Sequence, residues 1–202
     1  MIKPFLAAVA ASVLLALPAH AATIVDTGTP DGQAVGALAF DGVDWVAGQV
    51  SFAQAASIGA IRGHILGGSA GETFDVLLFS SDGGTGPGSL LYTGTATFGA
   101  DGWNGLSGLH GWTVAAGSYW IEFEIQGADT LGAGSATGAL FDLNAPNPLA
   151  TTVYTDTGGF GYQAAPLSFG LQVSTVPWPA PASLMLAGLA LLASLGLARR
   201  AR

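Results

Sequence analysis

The chain has 202 residues and no cysteine, which excludes disulfides, thiolate metal sites, iron–sulfur clusters and cysteine nucleophiles. Its thirteen acidic residues all lie between positions 26 and 156, where Arg62 is the one Lys or Arg, so that stretch carries a formal −12. Such a surface repels nucleic acid and anionic lipid, because phosphate binding needs clustered Lys and Arg.

The first 21 residues, MIKPFLAAVAASVLLALPAHA, have Lys3, an apolar run over 5–17, the breaker Pro18 and small residues at Ala19 and Ala21. This is the layout of a secretory signal peptide cleaved after Ala21 or one residue later. An uncleaved membrane helix fits less well, since the apolar run is shorter than the ~20 residues a span needs. Removing it and the closing segment 175–202 leaves 22–174, a single-domain length with room for a core.

Within 22–174 apolar residues recur with a period of two, and helical periodicity hardly occurs. Strands are expected over 49–52, 58–66, 73–79, 90–98, 111–114, 118–125, 139–143 and 168–173. In ETFDVLLF both faces are largely apolar. In SYWIEFEI, Tyr119, Ile121, Phe123 and Ile125 point inward and Trp120, Glu122 and Glu124 outward to solvent. Connections are expected at DGGTGPG (82–88), ADGWNG (100–105), AAG (115–117) and LNAPNP (143–148), where Gly, Pro, Asp and Asn make turns. About eight closely spaced strands without helices imply an all-β fold, an antiparallel β-sandwich of jelly-roll kind.

The tail VPWPAPASLMLAGLALLASLGLARRAR (176–202) combines three spaced prolines, an apolar run and three terminal arginines. Residues 182–198 would make ~26 Å of helix, marginal for a ~30 Å hydrocarbon core. Arginines directly after it favour a cytoplasmic C-terminus. The prolines at 177, 179 and 181 keep the approach extended. A buried C-terminal core helix is the competing reading.

This tail resembles the sorting signal of PEP-CTERM proteins. Val176, Pro177, Pro179 and Ala180 match the motif, with Trp178 where glutamate is usual. Leu184, Leu186, Leu189, Leu191, Leu192, Leu195 and Leu197 match the transmembrane helix, and Arg199, Arg200 and Arg202 the basic end. The preceding domain is similar, more loosely, to β-sandwich modules found before such tails, through DGGTGPGSLLYTG, AAGSYWIEF and SFGLQV. The resemblance implies export by the Sec translocon and signal peptidase, and anchoring in the inner membrane. Processing by an exosortase would follow, with release to the cell surface or extracellular matrix of a polysaccharide-producing bacterium.

Catalytic signatures are not found: His64 and His110 have no G-x-S-x-G or H-E-x-x-H beside them, and His64 is expected at an ordinary surface or edge position. Glu122 and Glu124 stand ~7 Å apart along a strand, within glycosidase separations, but on an expected solvated face. Asp82, Asp101 and Asp142 are loop oxygens of the type calcium takes, but the favoured reading is that they form turns by bonding their own backbone. No resident cofactor is expected. Trp103, in a loop, and Trp120, facing outward, are candidates for stacking on sugar rings. The sequence therefore points to a non-enzymatic exported surface or matrix protein associated with exopolysaccharide or biofilm; a carbohydrate-binding module for extracellular polysaccharide is the alternative.

Overall fold

The computed structural model describes residues 22–32, 37–134, 138–158 and 161–176; the expected signal peptide and everything after Val176 lie outside them. The described chain contains thirteen strands and no helix: β1 (Thr23–Asp26), β2 (Leu38–Phe40), β3 (Trp45–Phe52), β4 (Ala56–Leu66), β5 (Thr73–Ser80), β6 (Leu90–Thr97), β7 (Gly102–Ser107), β8 (Thr113–Val114), β9 (Gly117–Glu124), β10 (Ala139–Phe141), β11 (Thr152–Thr155), β12 (Gln163–Ala164) and β13 (Leu171–Thr175). They form two antiparallel sheets within one compact unit, Ala22–Val176. The first sheet runs β1-β13-β4-β10-β2, with β7 and β8 also pairing with β4; the second runs β12-β11-β3-β9-β5-β6.

Both sheets contribute to one apolar core. Alternation along β9 and β5 sends Ile121, Phe123, Phe74, Val76 and Leu78 inward, against Ile58, Ile61 and Ile65 of β4. In β4 the inward residues change parity between 58 and 61. A register shift against β13, where Ser174 pairs with Ala60 and Thr175 with Ile58, absorbs the odd residue. Such a bulge keeps both isoleucines in the core. At its centre Phe141 packs against Phe40 at 4.7 Å, Phe123 at 5.2 Å and Phe169 at 5.7 Å between ring centroids. Tilted and edge-on aromatic contacts of this type add to the area they bury.

Several sequence-based expectations change. The segment ADGWNG does not form a simple connection: its last four residues open β7, whose residues 102–107 pair with 60–65 of β4. Glycine makes this possible, because a Cβ on Gly105, at φ +152°, would stand 2.2 Å from the Ile61 carbonyl oxygen. Turn-like composition thus disguises a strand needing close backbone approach. The short strands β1, β2, β11 and β12 carry too few residues for a periodic signal and are absent from the expected set.

Candidate functional site

The outer face of the second sheet contradicts the expected solvated surface of β9. Strand parity does put Trp120, Glu122 and Glu124 on the side away from the main core, yet they are only 1%, 0% and 2% exposed. Pairing arranges their neighbours in rows. Ala47 of β3 and Leu77 of β5 flank Glu122; Gln49 and Phe79 flank Trp120; Asp75 lies opposite Glu124. Trp45 occupies the next outward position on β3 and is also buried. Trp120, Ala47 and Val153 form a second, small apolar cluster against which Phe79 and Tyr162 pack.

Two loops roof this face. From the β11–β12 connection Tyr162 reaches over to β9, where its hydroxyl donates to Glu122 Oε1 at 2.6 Å. From the opposite flank the β5–β6 loop comes within van der Waals range of the same tyrosine: a Cβ on Gly86 would lie 3.1 Å from Tyr162 Cβ. A side chain at position 86 would push the tyrosine away by a few tenths of an ångström. Asp82 braces the second loop by accepting from Ser80 Oγ at 2.6 Å. Between the loops lies an open cavity of ≈ 500 Å³, lined by Asp82, Gly84, Thr85, Gly86, Pro87, Gly88, Gly161 and Tyr162.

Burial dominates the electrostatics beneath the roof. Desolvation pushes the Glu122 carboxyl up to about 8, with the nearby Glu124 adding to the rise and the Tyr162 hydroxyl opposing it. Glu124 is pushed up to about 7, first by burial and then by Asp75, while Gln126, which donates to Glu124 Oε1, opposes the shift. The Tyr162 phenol is raised, by burial first and by Glu122 next. At neutral pH Glu122 is therefore held largely as a neutral acid.

The face is incompletely satisfied. Among the described residues, five buried side-chain atoms lack a hydrogen-bond partner, and four of them belong here: Trp45 Nε1, Trp120 Nε1, Asp75 Oδ1 and Glu122 Oε2. The fifth is His64 Nδ1.

His64 itself is a correction, since it is buried. Its Nδ1 lies 3.4 Å from Asp142 Oδ2, and the Trp103 ring packs edge-on at 5.3 Å. Asp142, fully buried, also accepts from the backbone N–H of Gly32 at 2.8 Å and of Asn144 at 3.3 Å, so it ties the N-terminal segment to the end of β10. The Asp142 carboxylate is held by backbone N–H groups, and the pair reads as a structural clasp.

The other expected site residues are dispersed. Trp103 sits on β7, half-buried, with Nε1 donating to Thr29 Oγ1 at 3.3 Å. Trp120 is enclosed and cannot stack on a ligand at the surface. Asp101 accepts from the Gly67 N–H at 2.7 Å. Asp82, Asp101 and Asp142 belong to three different connections, and among the described residues no three His, Asp or Glu side chains are grouped to hold a metal ion. Val176, the first residue of the expected sorting motif, donates its N–H to the Ser57 carbonyl at 2.8 Å. Pro177, Trp178, Pro179, Ala180, the leucines from Leu184 to Leu197 and the terminal arginines lie outside the described residues. Among the described residues no helix is long and apolar enough to cross a membrane.

Sequence reasoning did not name Trp45, Asp75 or Tyr162 as site residues. Asp75 could have been suspected, because it alternates with Leu77 and Phe79 on a strand face otherwise suited to burial. Tyr162 had no local signal, since its partner Glu122 is 40 residues away.

Fold and site together define a two-sheet, all-β protein with a roofed polar face on one sheet. No protein-family model and no curated protein matches the chain.

Proposed function

We propose that this is an exported surface or extracellular-matrix protein without catalytic activity, associated with exopolysaccharide or biofilm. In this reading the Sec translocon and signal peptidase export it, the tail 176–202 holds it in the inner membrane, and an exosortase cuts it there. The folded part is a β-sandwich of jelly-roll kind, in keeping with a chain that passes repeatedly from one sheet to the other.

The observation that carries the proposal is the meeting of the domain's two ends. β1 pairs with β13, and the Ala22 carbonyl accepts from the Thr175 N–H at 2.9 Å and the Thr175 hydroxyl at 3.2 Å. The residue after the expected signal-peptidase cut thus lies beside the residue before the sorting motif. A domain closed in this way tolerates removal of both flanking segments, because neither cut severs a strand of the described fold. That supports a domain processed at both ends, together with the acidic, cysteine-free composition of a surface exposed to solvent.

Intact-mass spectrometry of the protein isolated from exosortase-containing cells is the test. The expected product begins at Ala22, or at Thr23 if the cut falls one residue later, and lacks the arginine cluster. A product that retains Arg202 refutes the sorting reading.

A further inference from the structure

We propose that the roofed face of the second sheet is a carbohydrate-binding site that takes a sugar ring free of acidic groups. Its polar contacts would be the indole N–H groups of Trp45 and Trp120 and the carboxyl oxygens of Asp75 and Glu122. This goes beyond the sorting reading and does not depend on it.

The warrant is the concentration of unsatisfied groups. A buried donor or acceptor left without a partner costs ~1–3 kcal/mol, and native interiors rarely keep them. Four such atoms share one face here, on three adjacent strands, and two belong to Trp120 and Glu122, which are 1% and 0% exposed. Their chemistry is mixed: two indole N–H groups and the neutral Glu122 carboxyl have hydrogens to donate, and Asp75 Oδ1 needs a donor. A hydroxyl does both. A ring carrying several hydroxyls with an apolar C–H face matches two indoles, two carboxyls and the flanking Ala47, Leu77 and Phe79.

Other ligand classes fit less well. A metal ion gains nothing from the indole N–H groups, and the carboxyls are not grouped as a ligand set. An acidic sugar would meet Asp75 and Glu124 on this face, with Arg62 on the other sheet.

The entrance is the ≈ 500 Å³ cavity between the loops, within the range of small-ligand sites. Tyr162 forms one wall and separates it from Glu122, to which it is joined by a single hydrogen bond. Rotation of this half-buried side chain, which also packs against Trp120, Ala47 and Val153, would open the way, and a ligand hydroxyl would then take the place of the phenol at Glu122.

Indole N–H resonances of the ¹⁵N-labelled full chain in detergent give a direct readout. The probes are neutral gluco-, galacto- and manno-hexasaccharides, a glucosamine hexamer and a mannuronate hexamer. The expected result is a saturable shift of the Trp45 and Trp120 signals, assigned by single Trp→Phe variants, with at least one non-acidic probe. Trp103 and Trp112 should stay in place, and the mannuronate probe should do nothing. Trp120→Phe, which deletes the donor but keeps an aromatic ring, should weaken binding about tenfold, with dispersion of the remaining signals reporting that the fold is intact. The proposal is overturned if no non-acidic probe moves either signal at millimolar concentration. It is equally overturned if Trp103 alone responds, or if the mannuronate binds as well as the others. The mass of the processed chain is unaffected by any of these outcomes, so the two proposals fail separately.

Discussion

Replacing Glu122 by glutamine should abolish the pH dependence of stability that this residue imposes. Its carboxyl rests at about 8 in the fold, against an ordinary 4.5. The folded state therefore binds the proton more tightly than the unfolded chain does, which is opposite to the usual carboxylate. Stability from this group is full below 4.5, falls as pH rises through the window, and levels off above 8. At 1.36 kcal/mol per pH unit the interval amounts to about 5 kcal/mol, an upper figure to be compared with total stabilities of ~5–15 kcal/mol. Glu124, held at about 7, acts in the same direction over a shorter window. A glutamine side chain at this position would mimic the neutral acid and still accept from the Tyr162 hydroxyl through its amide oxygen. Glu122→Gln should thus match the parent within ~1 kcal/mol at pH 4 and exceed it by several kcal/mol at pH 9. Urea unfolding of both chains in detergent from pH 4 to 9.5 measures this. Parallel profiles for the two proteins, or a parent whose stability rises from pH 5 to 8, would refute the reasoning.

Phe141→Ala removes the ring at the centre of the aromatic cluster and should lower unfolding free energy by ~3–5 kcal/mol, seen as an earlier urea midpoint with an unchanged slope. Asp142→Ala leaves the amide of Gly32 without its acceptor; a loss of ~2–4 kcal/mol is expected in the same assay, with faster hydrogen exchange at Gly32. Glu72 accepts from the backbone N–H groups of Ser69, Gly132 and Gly134, and the Ser69 bond leads the causes that hold its carboxyl below 4.5. Its contribution is present above 4.5 and disappears as pH falls through the lowered value, so Glu72→Gln should speed amide exchange at Gly132 and Gly134 at pH 7, and the difference should shrink as the pH is taken down below 4.5.

The sequence by itself determined the fold class and the inward faces of the long strands. β5 and β9 alternate over eight residues each, and local periodicity is enough to separate one side of a strand from the other. Composition also determined what the chain lacks, from cysteine chemistry to a basic surface. Only the tertiary structure decided what covers the opposite face. Whether Glu122 meets water or a tyrosine depends on a loop 40 residues downstream and on a glycine at position 86, and no pattern within β9 records either. The same reason explains His64, whose burial comes from Trp103 on β7 and from Asp142 after β10. Alternation tells which residues share a side of a sheet; long-range packing tells whether that side is a surface or a second interior.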